Sequence, residues 1–400
     1  MRPSDTCALV QPWRNRVTEL CQRALWLPSL SGREEKVAEL VADTMRAMGY
    51  DDVSVDSAGN VLGWIAGGDG AAVMLHAHMD VVDPGPMDAW RQGPWEGGLH
   101  DGRIFGRGAV DDKGSLVAQV CAGGVLAEQG LRPSGDLLVA AVVGEETGGL
   151  GTLILRENLP VAAAVVGEPS GGWLMRGHRG RFELVVTFHG RSAHASAPHL
   201  GTNPHASLAR FVLRLDEIPL ASDETLGPAT LVPTLIGCDQ TSSNVIPSQL
   251  SVSLDWRSVP SETAEGAQRH VQDLADTCCG EGVWAEVSLR QLPARSYTGA
   301  QRTIPYVMPS FVRAADDRLV REAHRLLVDG VAHDVPIDVW GFATDGGHLV
   351  EAGIPCVGYG PGDPGLAHVA NESVGVDELV EATAGYVALA MFLGDVVATI

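Results

Sequence analysis

Four apolar runs in this chain each lead into side chains that bind metal ions or move protons. AAVML (71–75) runs into His76, His78 and Asp80, and LLVAAVV (137–143) runs into Glu145 and Glu146. AAAVV (162–166) runs into Glu168, and IPCVGY (354–359) leads through a Gly- and Pro-rich stretch to His368. Asp111 and Asp112, in GRGAVDDKGS, open a further apolar helical stretch. Five of these residues, His78, Asp111, Glu146, Glu168 and His368, can make a two-metal site. Imidazole and carboxylate without thiolate suit Zn²⁺, with Co²⁺ or Mn²⁺ as alternatives. Two cations ~3.5–4 Å apart need one carboxylate to bridge them. Consecutive glutamates cannot project into one position, so one of Glu145 and Glu146 binds metal and the other is free for proton transfer. A lone His-x-His or Glu-Glu pair says little; four such signals, each just past an apolar run, are not independent accidents.

The elements that must position these groups are legible too. The four runs are too short for helices and apolar on both faces, so they read as central strands of a sheet covered by helices on both sides. Ligands at their carboxyl ends stand where open α/β sheets build sites. Ser31 and Glu34 read as a capping box opening a helix through Val37, Leu40, Val41, Met45 and Met48 to Gly49. From Gly180 the pattern becomes alternation: Phe182, Leu184, Val186 and Phe188 share one face, Arg181 and Glu183 the other. A helix near 203–217, strands near 229–237 and 249–257, a helix near 261–279 and a strand near 283–290 follow. That order is βαββαβ, a ferredoxin-like α+β unit. The expected organisation is an α/β domain (1–179 and 293–400) interrupted by an α+β domain (180–292).

The motifs His78-x-Asp80, Gly106-Arg-Gly-x-x-Asp111-x-Lys-Gly114, Glu145-Glu146, Gly167-Glu-Pro-Ser170, Gly190-x-Ser-Ala-His194 and Asn244-Val-Ile-Pro247 occur in that order. The chain therefore resembles the family of acetylornithine deacetylase, succinyl-diaminopimelate desuccinylase, aminoacylase and glutamate carboxypeptidase. The resemblance implies a zinc-peptidase-like catalytic domain with an inserted lid or dimerisation domain, two Zn²⁺ per chain and a homodimer. It makes Asp111 the bridging carboxylate, gives His78 and Glu168 to one metal and Glu146 and His368 to the other, and leaves Glu145 as general base. Asp80 would orient His78 through its second ring nitrogen. His194 would supply an oxyanion donor to the neighbouring subunit's site, while His199 and His205 lack motif support and face solvent. Arg257, on the polar face of its strand with Ser251, Ser253 and Asp255, would grip a substrate carboxylate with help from Asn244. The chain departs from the family pattern at Ala77, at Asp112, which adds charge beside the site, and at 344–348.

Composition narrows the partners. The chain has 28 Lys plus Arg against 50 Asp plus Glu, a formal charge of -22, and Lys36 and Lys113 are its lysines. That excess excludes the basic patch a nucleic acid or anionic membrane surface requires, and leaves arginines to hold an anionic substrate. Seven cysteines without a Cys-x-x-Cys pair, and an N-terminal stretch without an apolar core, lead us to expect reduced thiols in the cytoplasm. Cys278 and Cys279 read as small buried hydrophobes. Ala384 to Ile400 reads as a buried final helix, too short and too charged at Asp395 to span a bilayer. The expected activity is amide hydrolysis of an N-acyl amino acid or short peptide with a free carboxylate. A dipeptidase is the alternative within enzymes; a catalytically silent metal-binding scaffold would not need Glu145.

Overall fold

The computed structural model describes residues 1–398. Its central sheet has nine strands, and the four apolar runs occupy the middle of it as Gly135–Val142, Gly70–His78, Ala163–Val166 and Cys356–Gly358, all parallel. Val61–Ile65 flanks them on one side and Leu174–His178 on the other, both antiparallel to their neighbours. Burial on two faces explains the continuous apolar runs. Val73, Leu75 and Ala77 face one helical layer, while Met74 faces the other side with Phe311, Trp340 and Leu349.

Helices Lys113–Glu128 and Val376–Val397 lie against Gly70–His78 in the first of those layers. Val376–Val397 is long and apolar enough to cross a membrane, yet most of it is enclosed in this core. Thr399 and Ile400, at the end of the expected final helix, lie outside the described residues.

The helix Glu35–Ala47 forms as expected, burying Val37, Val41 and Met45, with Leu40 half-buried. Its capping box does not. The Ser31 hydroxyl donates to Asp80 Oδ2 at 2.7 Å, and the Glu34 carboxylate accepts from the Gly32 N–H at 2.9 Å. A buried aspartate is a stronger acceptor for that hydroxyl than helix geometry could offer.

The chain leaves the central sheet after His178 and rejoins it at Phe311–Val312, which pairs with Leu174–His178. Between these points a second, antiparallel sheet runs Thr230–Cys238, Gln249–Ser258, Gly180–His189, Trp284–Leu289. Helices His205–Leu213 and Ala264–Cys278 complete the ferredoxin-like βαββαβ order. They cover one face of the sheet, burying Phe182, Leu184, Leu254 and Trp256, and Cys278 joins this core with Cys279 against it. Val307–Met308 extends the sheet beside Gly180–His189. The face without helices carries Arg181, Asp255 and Arg257.

Candidate metal centre

Parallel strands bring their carboxyl ends to one edge, and the five expected ligands meet there. His78 Nε2 lies 3.0 Å from Asp111 Oδ1 and 3.8 Å from Glu168 Oε1. His368 Nε2 lies 3.1 Å from Asp111 Oδ2 and 3.0 Å from Glu146 Oε1. Two triads result, His78/Asp111/Glu168 and Asp111/Glu146/His368, with the donor atoms of each within 4.8 Å of one another and Asp111 common to both. His368 adopts φ +62°, an uncommon conformation for a residue with a side chain.

The electrostatics of this cluster suit a cation. Burial, with Asp111 adding repulsion, pushes Glu168 well above the usual carboxylate range and Glu146 up to about 7. Burial likewise raises Glu145, reinforced by Asp345 and its acidic neighbours. Hydrogen bonds to the carboxylates of Asp111 and Glu146 lift His368 to about 10. Carboxylates and imidazoles crowded together in this way form a donor set that fits divalent metal, whose charge would offset the repulsion among the acids. Asp112 is buried beside the site: burial drives its carboxyl well above the usual carboxylate range, and Oδ2 accepts from the His78 N–H at 3.2 Å.

Bracing groups fix the ligands. His78 Nδ1 meets the Asp80 backbone carbonyl at 2.9 Å and the Asp80 carboxylate at 3.4 Å, which leaves Nε2 to the site. The same carboxylate accepts from the backbone N–H groups of Glu145 and Glu146 at 3.1 and 3.2 Å. Gly144, at φ +70°, makes the turn from strand to glutamates that a side chain would strain. Glu372, four residues after His368, is fully buried. It accepts from Arg107 Nη1 at 2.6 Å and from the N–H groups of Gly108, Val110 and Asp111 at 3.1, 2.7 and 2.9 Å. One short segment thus supplies a ligand and holds the loop that presents the shared one.

A cavity of about 470 Å³ opens over the centre, a size for a small ligand. Asp111, Glu145, Glu146, Glu168 and His368 line one wall, and Arg257, Arg181 and Tyr306 contribute to the other. Arg257 therefore lines the same cavity as the expected ligands. His194 and Asn244 do not line this cavity. They lie together on the exposed surface of the second sheet's unit, where His194 pairs with Val245 and the Ala195 N–H donates to the Asn244 carbonyl. The Asn244 side chain accepts from Ser242, so the expected partnership with Arg257 is not formed within the chain. His199 and His205 are exposed.

Sequence reading missed Arg181, Tyr306 and Glu372. Arg181 carried a signal only once strand register is known, because it faces Arg257 across the sheet. Glu372 carried none, since its partners are backbone amides 260 and more residues away.

Ligands at the ends of a covered parallel sheet, facing a second sheet across a cleft, define a metal-dependent hydrolase. The chain belongs to peptidase family M20/M25/M40, whose model matches residues 74–391. An uncharacterized protein, YgeY of Escherichia coli K12, is 31% identical over 380 residues, 93% of each chain. Among solved structures, aminopeptidase PepT from Bacillus cereus superposes with TM-score 0.75 at 21% identity, covering 96% of this chain and 98% of that one. The Bacillus subtilis YXEP protein, described as a dinuclear metal-binding M20 peptidase, gives TM-score 0.71 at 16% identity over 95% and 98%.

Proposed function

We propose that this hydrolase is a dinuclear zinc amidohydrolase that cleaves an N-acyl amino acid, or a short N-blocked peptide, with a free carboxylate. The observation that carries the reading is the cavity itself: two donor triads sharing Asp111 face Arg257 across it. His78 and Glu168 would hold one cation and Glu146 and His368 the other. Two bound cations supply Lewis acidity that polarises a carbonyl and acidifies a water. Glu145, buried beside the triads, takes the proton from that water and returns it to the leaving amine, which has to depart neutral. Arg257 fixes the substrate carboxylate, and Val82, Phe342 and Ala343 leave an apolar lining for the rest.

A dipeptidase reading would need a carboxylate for the substrate ammonium. The acidic groups lining the cavity, Asp111, Glu145, Glu146 and Glu168, are all committed to metal or proton transfer, which favours an acylated amine. Hydrolysis of matched substrates with acetylated and free amino groups, with Zn²⁺ added, tests this. Preference for the free amine would overturn the deacylase reading.

The homodimer and the cytoplasm belong to this proposal. Supporting a dimer, the edge strand Thr230–Cys238 exposes Val232, Leu235 and Ile236, and His194 and Asn244 are exposed and do not line their own chain's cavity, as groups serving a partner's site would not. An active monomer in sedimentation would refute it. All seven cysteines are unpaired, which suits a reducing compartment.

A further inference from the structure

The wall opposite the metal centre contains a like-charge pair. Arg181 and Arg257 stand directly opposite each other on the antiparallel strands Gly180–His189 and Gln249–Ser258. Two cations in that register ordinarily destabilise a sheet. Asp255 relieves part of the repulsion: Oδ2 accepts from Arg181 Nε at 2.8 Å and Oδ1 from Arg257 Nε at 2.7 Å. Tyr306 accepts from Arg181 Nη1, and its ring lies 4.7 Å from the guanidinium carbon. Both arginine side chains keep about a third of their surface open, 29% for Arg181 and 36% for Arg257, and both line the cavity.

Charge arithmetic separates the two arginines' tasks. Asp255 paired with Arg257 alone would form a neutral couple with little pull on an anion. Arg181 makes the cluster two cations and one anion, with a net charge of one. The guanidinium is a planar fork, so with each Nε spent on Asp255 and Arg181 Nη1 on Tyr306, Nη2 of Arg181 and the Nη groups of Arg257 are left for a ligand.

Resting on the amidohydrolase reading above, we infer that Arg181 is a specificity-determining residue: it joins Arg257 in a two-arginine clamp on one substrate carboxylate. One carboxylate oxygen meets each guanidinium, as the two oxygens of Asp255 do from behind. Tyr306 holds Arg181 in that pose. The single net charge matches a substrate with one free carboxylate in this cavity. A substrate with none leaves the pair uncompensated, and a second acidic group finds no further cation among those lining the cavity.

The experiment measures kcat and KM for an N-acetyl amino acid and for its C-terminal carboxamide, in the wild-type protein and in Arg181→Ala and Arg181→Lys. The wild type should prefer the carboxylate. Arg181→Ala should lower that preference ~10–100-fold, the loss expected for a charge-assisted contact, mainly through KM and with the carboxamide rate little changed. Arg181→Lys keeps the charge without the fork and should recover only part of the preference. Melting temperatures and metal content of both variants show whether the fold and centre are intact. Arg181→Ala slowing both substrates alike, or changing neither, would overturn the clamp while leaving the amidohydrolase reading standing. A wild-type protein that hydrolyses the carboxylate substrate without preferring it would overturn the carboxylate-grip reading and the clamp with it.

Discussion

The two walls of the cavity are built on opposite principles. The metal wall gathers its groups at the carboxyl ends of parallel strands and the loops beside them, where His78, Asp111 and Glu168 are buried, His368 is half-open and the backbone behind them is braced: Asp80 ties His78 to the Glu145 turn, and Glu372 ties the Asp111 loop to the His368 segment. The arginine wall takes its groups from the open face of an antiparallel sheet, where Arg181 and Arg257 share one carboxylate and remain partly exposed. Buried, interlocked groups fail together when one is removed; surface groups in a charge cluster lose function by degrees.

The largest expected effect falls on the metal wall and separates adjacent residues. Glu145→Gln should lower kcat by at least ~10²–10⁴-fold with metal content unchanged, whereas Glu146→Gln should lose metal. Equal metal loss in the two variants would show that the roles are reversed or shared. Bracing should matter nearly as much. Glu372→Gln leaves Arg107 as an unpaired buried cation, so stability in a denaturant titration should fall by about 3–5 kcal/mol, and metal affinity should fall with it. A variant with unchanged midpoint and metal content would mean that the Asp111 loop holds its shape unaided.

His178 marks the crossing between the two regions. Burial holds its imidazole down at about 4, with Nδ1 against the Arg179 carbonyl and Nε2 accepting from the Thr344 N–H. The unfolded chain takes a proton near 6.5 and the folded chain resists until about 4. This residue's contribution to stability is therefore present above pH 6.5 and lost as pH falls through that window. The stability advantage of the wild type over His178→Gln should shrink by up to about 3 kcal/mol between pH 7 and pH 4. An advantage that stays constant with pH would contradict a buried neutral histidine at this position.

On the arginine wall the effect should be smaller and confined to one substrate class. Arg257→Ala should cost ~1.5–3 kcal/mol in kcat/KM for substrates with a free carboxylate and little for amidated analogues. Equal losses on both would make Arg257 a structural residue.

The same contrast decides what could be read from the sequence. A ligand at a strand end follows a run of apolar residues within the chain, so His78, Glu146, Glu168 and the strands behind them were visible as local patterns. The helix periodicity through Val37 and Met45, and the alternation through Phe182 and Phe188, were equally local. Arg181 occupies a polar position in that alternation and looks like any solvated charge until the strand bearing Arg257 is laid beside it. Ser31 looked like a helix cap because local spacing cannot show Asp80, 49 residues on, competing for its hydroxyl. Glu372 was silent because backbone amides, its chief partners, carry no sequence identity.

Metal stoichiometry tests the central claim most directly. Elemental analysis of a fully active preparation should find two divalent ions per chain, and a chelator that removes both should abolish hydrolysis while the folded core, which does not depend on ligation, persists in circular dichroism. Full activity with one ion per chain, or with none, would contradict a centre in which Asp111 serves two metals.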